Sequence, residues 1–182
     1  MRAVFLDRDG VINEAVIRKG KPYPPKSLQE MKVIANAAES LRQLKERGFR
    51  LIVVTNQPDV RRGITAQETV EQIHAELAAQ LPLDDFFVCY HDDSDGCECR
   101  KPLPGLLLQA ARRYGINLRQ SFLVGDRWRD IEAGAAAGCR TVLIDYGYDE
   151  RKSKCPPDAT VLSLTDAVNW ILATAADSPP FR

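Results

Sequence analysis

Two carboxylates and an arginine stand side by side near the start of the chain, in the stretch VFLDRDGVIN. Asp7 and Asp9 directly follow a short apolar run, although like charges at such close spacing repel one another. One carboxylate can act as a nucleophile, and a second beside it can act as a general acid or base. The pair therefore predicts chemistry at the end of a strand, provided that a cation neutralises it.

Three later segments carry polar residues that suit the same chemistry. They are Thr55–Asn56–Gln57, the basic pair Arg100–Lys101, and the acidic residues Asp126 and Asp130 of the stretch GDRWRD. Carboxylates that gather at one site favour a hard divalent cation, which prefers oxygen ligands. If the fold brings these segments together, we expect a site for a hard divalent cation.

A different set of ligands crowds into the stretch CYHDDSDGCECRKP. Cys89 and His91 form a C-x-H pair, and Cys97 and Cys99 form a C-x-C pair after a polar, turn-forming gap. Four such ligands can close a tetrahedral Zn²⁺ site, and a closed site is structural because no position remains for water. The alternative is that Cys89 belongs to the core and His91 is merely exposed. A zinc loop over residues 89–99 would hold Arg100 and Lys101 in place, because they follow it directly.

Alternating short apolar runs and amphipathic segments indicate the elements that position these residues. The predicted strands are Arg2–Leu6, Arg50–Thr55, Asp85–Cys89, Ser121–Gly125, Thr141–Ile144 and a weaker Ala159–Leu162. The predicted helices are Asn36–Arg47, Ala66–Gln80, Pro104–Tyr114, Arg129–Ala137 and Leu164–Ala175. This order predicts a three-layer, doubly wound α/β fold, in which ligands bind beyond the carboxyl ends of the parallel strands. We expect one domain over residues 1–176, with the zinc loop inserted, and a frayed tail at 177–182.

The charge balance argues for a small-molecule partner. Lysine plus arginine number 25 and aspartate plus glutamate also number 25, so no net field attracts nucleic acid or an anionic membrane. The N-terminus lacks the apolar core of a signal peptide, and no stretch approaches the roughly 20 apolar residues that span a bilayer. We therefore expect a cytoplasmic monomer that acts on a small metabolite.

Four motifs in order resemble those of the haloacid dehalogenase superfamily of phosphohydrolases. They are DRDG, TNQ, RKP and GDRWRD, and the resemblance runs from Val4 to Ile144. It implies a Rossmann-like fold and a Mg²⁺-dependent phosphomonoester hydrolase that works through an aspartyl-phosphate. Members often have lysine where this chain has Arg127. Asp130 is either a support for the metal ligands or a charge on the helix surface.

The resemblance implies a role for each residue of the motifs. Asp7 is expected to be the nucleophile and Asp9 the general acid and base. Asp7, Asp126 and the backbone carbonyl of Asp9 are expected to hold Mg²⁺. Thr55 should donate to the phosphoryl oxygens, and Lys101 should shield the charge between nucleophile and phosphate.

The opening FLDRDGVIN and the zinc loop running into CRKPLPG resemble a narrower group within that superfamily, the heptose bisphosphate and histidinol-phosphate phosphatases. This group has no cap domain, so short loops select the substrate. The expected substrate contacts are Asn13, Asn56, Gln57, Arg62 and Arg100.

Three functions remain open from the sequence. The resemblance implies D-glycero-D-manno-heptose 1,7-bisphosphate as the first candidate substrate. Arg61, Arg62 and Arg100 favour such a bisphosphate, because guanidinium groups suit a second phosphate. Asp59 and the acidic stretch HDDSD favour histidinol phosphate, whose imidazole is cationic. A zinc-stabilised binding module without catalysis is the third, and it predicts a damaged nucleophile, whereas Asp7, Asp9 and Asp126 are all present.

Overall fold

A parallel sheet forms the centre of the protein in the computed structural model, which describes residues 1–176. Within these residues the strands are β1 (Ala3–Leu6), β2 (Val16–Arg18), β3 (Lys21–Tyr23), β4 (Arg50–Asn56), β5 (Asp85–Cys89), β6 (Phe122–Gly125), β7 (Arg140–Ile144) and β8 (Ala159–Val161). The helices are α1 (Ala37–Glu46), α2 (Pro58–Arg61), α3 (Gln67–Gln80), α4 (Gly105–Tyr114), α5 (Trp128–Ala137) and α6 (Leu164–Ala176). The tail predicted to fray, 177–182, lies outside the described residues.

Strand β1 lies in the middle of the sheet because its sequence AVFL is apolar throughout. The strand order is β5-β4-β1-β6-β7-β8, and every neighbouring pair is parallel. All four residues of β1 are buried, as expected for a strand covered on both faces. The order reverses at β1, which makes the carboxyl end of this strand the switch point where such folds bind ligands. The predicted doubly wound α/β class is confirmed.

Alternate residues of β1 enter two separate cores, one on each face of the sheet. Val4 and Leu6 belong to a core shared with α1, α3 and α6. Ala3 and Phe5 belong to a second core shared with α4 and α5. Since successive side chains of a strand point to opposite faces, four apolar residues in a row supply both cores. The result is the predicted three-layer arrangement.

The register of the central strands brings three strand ends to one edge. Leu6 of β1 pairs with Val53 of β4 and with Val124 of β6. Asp7, Thr55 and Asp126 follow these paired residues within two positions. Parallel strands in this register therefore deliver side chains from distant parts of the sequence to a single place.

The small hairpin formed by β2 and β3 was not predicted. Each strand has three residues and is largely exposed, and Pro22 lies within β3. Lys19 and Gly20 form the turn, and both have positive φ, which a two-residue hairpin turn of type I′ requires. Such a short, solvated hairpin has no buried face, so the sequence carries no hydrophobic alternation to reveal it.

The predicted helix ends agree with the structure to within one residue. Gly48, Gly115 and Gly138 lie within two residues of the ends of α1, α4 and α5, and all have the positive φ that is common where a helix ends. The short helix α2 was not predicted, because four residues with none buried leave no periodic pattern. No helix within residues 1–176 has both the length and the apolar character needed to cross a bilayer.

The first core predicts a large stability difference between two leucines. Leu41 of α1 is fully buried, whereas Leu162 is 78% exposed. We expect Leu41→Ala to lower the free energy of unfolding by about 2–5 kcal/mol through lost burial and a cavity. Leu162→Ala is the matched control and should change it by less than about 0.5 kcal/mol. Urea unfolding followed by circular dichroism measures both, and equal effects would contradict the assigned packing.

Candidate active site

Three carboxylates meet at the carboxyl edge of the sheet. Asp7 directly follows β1, Asp126 directly follows β6, and Asp130 lies in the first turn of α5. All three are buried, and one carboxylate oxygen of each lies within 4.8 Å of those of the other two. Carboxylates this close repel one another strongly unless positive charge lies among them.

Lys101 supplies one positive charge inside this cluster. Its Nζ donates to Asp7 Oδ1 at 2.6 Å, to Asp130 Oδ1 at 2.5 Å and to the carbonyl oxygen of Val54 at 2.8 Å. Burial lowers the pKa of Lys101, but the charges of Asp130 and Asp7 outweigh burial and raise this pKa above its ordinary value. The lysine stays protonated, and all three of its donors are used. Asp130 is therefore a buried support for Lys101 and not a charge on the helix surface.

Asp126 has no comparable partner. Neither of its two buried oxygens has a hydrogen-bond partner among the described residues, although the nearby hydroxyl of Tyr148 partly offsets the rise in the pKa of Asp126. Burial and the charges of Asp7 and Asp130 raise the pKa of Asp126 well above its ordinary value. A buried carboxylate without a partner is unfavourable, and a hard divalent cation would satisfy it. The residues thus fit Mg²⁺ between Asp7 and Asp126, because Asp130 already accepts from Lys101 and from the backbone N–H of Arg127.

Two glycines allow these carboxylates to approach the backbone. Gly10 has a φ of +88°, and a Cβ at this position would lie 2.0 Å from Asp126 Oδ2. A Cβ on Gly125 would lie 2.1 Å from the Cβ of Asp130. Any side chain at either position would displace a carboxylate. The last residue of DRDG and the first of GDRWRD are therefore glycines for steric reasons.

Asp9 lies beside the cluster and is held by three side chains. Asn13 Nδ2 donates to its Oδ1 at 3.0 Å, and Gln57 Nε2 donates to its Oδ2 at 2.8 Å. Arg8 Nε donates to both oxygens, at 3.1 and 3.2 Å. Asn13 and Gln57, predicted as substrate contacts, are buried and point at Asp9, and neither lines the cavity described below. In the structure they orient Asp9.

Behind Asp9, the buried Arg8 contacts a histidine that the sequence analysis did not single out. Arg8 Nη1 lies 3.1 Å from His74 Nε2, and the His74 ring stacks on Phe86 with centroids 4.6 Å apart. Burial and the charge of Arg8 lower the pKa of His74 to about 3. At neutral pH this imidazole is uncharged, so Nε2 can accept the hydrogen bond from Arg8.

The two residues that end β4 have different partners. Thr55 lines the cavity, and its Oγ1 accepts a hydrogen bond from Gln57 Nε2 at 3.0 Å. Asn56 clamps the backbone of Lys101: its Nδ2 donates to the Lys101 carbonyl at 3.0 Å, and its Oδ1 accepts from the Lys101 N–H at 3.1 Å. Asn56 therefore fixes the base of the lysine whose tip contacts Asp7.

The predicted zinc ligands come together. One ligand atom from each of Cys89, His91, Cys97 and Cys99 lies within 4.8 Å of the others. The Sγ atoms are 3.7 Å apart for Cys89–Cys97, 3.5 Å for Cys97–Cys99 and 3.1 Å for Cys89–Cys99. Tetrahedral Zn–S bonds of about 2.3 Å require sulfur atoms about 3.8 Å apart, so two pairs are near the spacing that Zn²⁺ requires and the third would have to widen.

A cavity of about 240 Å³ opens above the carboxylates and is lined by six basic and six acidic side chains. The predicted residues on its lining are Asp7, Asp9, Thr55, Asn56, Arg62, Arg100 and Lys101. Lys21, Tyr23, Arg127 and Arg129 also line it and were not predicted as contacts. The acidic loop does not face the cavity as free charge, because Asp92 pairs with Arg62, Asp93 with Arg100 and Asp95 with Arg61.

Comparison with known proteins agrees with this geometry. A family model described as haloacid dehalogenase-like hydrolase matches residues 14–138, more than half of the chain. The chain belongs to this family. Among curated proteins, this hydrolase is 36% identical over 171 residues to the D-glycero-beta-D-manno-heptose-1,7-bisphosphate 7-phosphatase of Pseudomonas putida, covering 89% of this chain and 93% of the relative. It is 35% identical to the enzyme of the same name from Yersinia pestis, covering 97% of this chain and 93% of that enzyme.

A solved structure extends the similarity to three dimensions. The hydrolase matches D,D-heptose 1.7-bisphosphate phosphatase from B. bronchiseptica, complexed with magnesium and phosphate, with a TM-score of 0.77 and 30% sequence identity. The match covers 96% of this chain and 100% of the other.

Besides the unpredicted residues of the cavity lining, no role was predicted for His74, Arg8 and Glu150, and two of these had a detectable signal. His74 lies on the buried face of α3 with Val70, Ile73 and Leu77. Its signal in the sequence was a polar residue among apolar residues at helical spacing. Arg8 stands between two acidic residues in the DRDG motif. Glu150, which pairs with Arg127, lies in a loop with no periodic pattern and gave no signal.

The thiol cluster predicts a bound metal ion in the purified hydrolase. We expect about one zinc per chain in the wild type, and Cys97→Ser should lose it, because three ligands bind more weakly than a closed set of four. Cys155→Ser is the matched control and should retain zinc, since Cys155 lies outside the cluster. Elemental analysis by mass spectrometry measures both. A wild type free of zinc, or equal loss in both variants, would refute the site.

The neutral His74 predicts a specific acid sensitivity. Its pKa is about 3 in the folded state, and about 6.5 in an unfolded chain. Its contribution to stability is complete above pH 6.5 and is lost as the pH falls, because the unfolded chain takes up the proton first; the cost is about 1.4 kcal/mol per pH unit. His74→Gln keeps an acceptor for Arg8 but cannot titrate. Urea unfolding at pH 7 and pH 5 should therefore show a smaller loss in the variant, and an identical loss would contradict this assignment.

Proposed function

We propose that this protein is a Mg²⁺-dependent phosphatase that releases the 7-phosphate of D-glycero-D-manno-heptose 1,7-bisphosphate through an aspartyl-phosphate on Asp7. One observation carries the proposal: the buried, unpartnered carboxylate of Asp126 lies beside Asp7, and Lys101 contacts Asp7 from the other side. The names of the relatives from Pseudomonas putida and Yersinia pestis support the substrate.

The reaction needs a site that neutralises phosphate, because the negative charge of a phosphate ester repels nucleophiles. An oxygen of Asp7 attacks phosphorus, and the bond from phosphorus to the sugar oxygen breaks. Lys101 lies next to the attacking oxygen and reduces the repulsion between this carboxylate and the phosphoryl group. Thr55, on the cavity wall, donates its hydroxyl to a phosphoryl oxygen.

Asp9 transfers the protons of both halves of the reaction. It gives a proton to the departing sugar oxygen, and then removes one from the water that attacks the aspartyl-phosphate and restores Asp7. Arg8, Asn13 and Gln57 hold this carboxylate in one orientation, as proton transfer at a fixed atom requires. Asp7, Asp126 and the Asp9 backbone carbonyl would hold Mg²⁺, which supplies charge neutralisation to the phosphoryl group.

The zinc loop has a mechanical role in this proposal. Cys99 is a zinc ligand and immediately precedes Arg100 and Lys101, so a bound Zn²⁺ anchors one end of this segment. Asn56 clamps the backbone of Lys101 from β4. With both constraints, the ammonium group stays beside Asp7 and Arg100 stays on the rim of the cavity.

Histidinol phosphate is the second candidate substrate, and the structure weakens the reason for it. That candidate depended on free acidic residues near the site to bind a cationic imidazole. Asp59 and Asp92 share Arg62, and Asp93 contacts both Arg100 and Arg129, so three arginines compensate these three acids. Arg100 and Arg129 share a single carboxylate on the cavity lining, so they keep donors that support a second phosphate instead. An intact set of three acidic catalytic residues argues against a binding module without catalysis.

We also propose that the enzyme forms a single domain over residues 1–176 and works as a cytoplasmic monomer. The balanced charge supports a small metabolite as partner, with no attraction to nucleic acid or membranes.

Phosphate release with Mg²⁺ tests this function. We expect the wild type to be most active on heptose 1,7-bisphosphate and less active on histidinol phosphate and on sugar monophosphates. Asp7→Asn should lower turnover by about 10³-fold or more, because the nucleophile is lost. Asp149→Asn is the matched control, since Asp149 is exposed and does not line the cavity. Near-normal turnover in Asp7→Asn, with both variants folded by circular dichroism, would overturn the mechanism.

A further inference from the structure

Two arginines from separate elements converge on one carboxylate oxygen at the rim of the cavity. Arg100 Nε donates to Asp93 Oδ1 at 2.8 Å, and Arg129 Nη1 lies 3.2 Å from the same oxygen. Arg100 follows the zinc loop, whereas Arg129 lies in the first turn of α5. Arg100 was expected from its sequence position to contact the substrate, whereas Arg129 was not.

The arginines are fixed in place, and the carboxylate is the exposed member of the group. Arg100 Nη1 donates to the His91 carbonyl and Arg129 Nη1 to the Lys101 carbonyl, each at 3.3 Å. Their side chains are 11% and 23% exposed, whereas that of Asp93 is 59% exposed. An exposed ion pair contributes only about 0–1 kcal/mol, so a competing anion can replace Asp93 at little cost.

The group lies within reach of a substrate bound at Asp7. Asp93, Arg100 and Arg129 all line the cavity that also contains Asp7. Lys101 connects the two places, because its carbonyl accepts from Arg129 while its Nζ donates to Asp7. A molecule with two phosphates separated by a sugar could place one at each end of this lysine.

We propose that Arg100 and Arg129 form a subsite for the second, non-reacting phosphate of a bisphosphate substrate, and that Asp93 occupies this subsite until the substrate arrives. The proposal rests on the phosphatase function proposed above and adds Arg129 as a determinant of specificity. A dianionic phosphate between two guanidinium groups makes stronger, charge-assisted hydrogen bonds than the single carboxylate it replaces.

The other cations on the lining are less suited to this role. Arg62 has two close bonds to Asp92, at 2.6 and 2.9 Å, and a further bond to Asp59. Arg127 is engaged by Glu150 through both its Nε and its Nη2. Arg100 and Arg129 instead share one oxygen of one exposed carboxylate, which leaves donors of both guanidinium groups for a ligand.

Kinetics on a matched pair of substrates test the subsite. Heptose 1,7-bisphosphate carries the second phosphate, and heptose 7-phosphate is the same sugar without it. Arg129→Ala should raise the KM for the bisphosphate by about 10- to 100-fold, the loss expected for a hydrogen bond to a charged group. It should change the KM for the monophosphate by less than about threefold, because that substrate never reaches Arg129. Arg129→Lys should restore part of the difference.

Because Asp93 is proposed to occupy the subsite before the substrate binds, its replacement should lower the KM for the bisphosphate, the opposite of the effect of Arg129→Ala. Asp93→Asn removes the competing negative charge, so the KM for the bisphosphate should fall severalfold while that for the monophosphate stays unchanged. This variant also decides the question if Arg129→Ala fails to fold. Arg113→Ala is the matched control: Arg113 is exposed, pairs with Asp85 at the start of β5 and does not line the cavity.

The outcomes separate the subsite from the function on which it depends. A wild type that hydrolyses no phosphomonoester would overturn the proposed function. A wild type that is active, but whose Arg129→Ala variant affects both substrates equally or neither, would overturn the subsite alone. An unchanged KM for the bisphosphate in Asp93→Asn would do the same.

Discussion

The site depends on the balance of charge among three buried carboxylates and one buried ammonium group. Asp7, Asp126 and Asp130 come within 4.8 Å of one another, and Lys101 neutralises two of them directly. One lysine cannot compensate three acids, and the acid left without a partner is Asp126. The excess negative charge favours binding of a divalent cation at the site, because a second positive charge would compensate the carboxylate that Lys101 leaves unpaired. Much of the surrounding structure holds Lys101 where this balance can exist.

Two kinds of ion pair in the protein have different consequences. The pairs of Lys101 are buried, so their breaking would leave an uncompensated charge in a medium of low polarity, and they fix the catalytic geometry. The pairs between the acidic loop and the arginines at the rim are exposed to water and individually weak. The buried pairs of Lys101 can keep the reacting groups fixed, and the weak pairs at the rim can exchange for a substrate. This combination suits an enzyme that binds and releases an anionic substrate. The neutral His74 also supports the buried site, since it accepts a hydrogen bond from Arg8 without adding charge beside Asp9.

The sequence predicted the sheet, its five larger helices and the two candidate metal-binding groups because each has a local signal. Buried strands such as AVFL are apolar throughout, glycines mark the helix ends, and the predicted zinc ligands lie within one short loop. The hairpin of β2 and β3 and the helix α2 were missed because they bury little and so impose no hydrophobic period. The predicted substrate contacts divide in a similar way. Arg62 and Arg100 line the cavity, whereas Asn13 and Gln57 lie beneath Asp9, and only packing distinguishes a polar residue that faces solvent from one that faces its neighbour.

Residue types and strand pattern alone indicate which chemical groups are present and that parallel strands bring them to one edge of the sheet, since chain order implies that topology. The partner of each group follows instead from packing in three dimensions. Asp130 supports Lys101, Asp126 has no partner among the described residues, His74 lies behind Arg8, and Arg129 meets Arg100 on Asp93. The physical reason is that charge and hydrogen bonding act over a few ångströms in space. Residues as far apart as Asp7 and Lys101 become neighbours only after the sheet has formed.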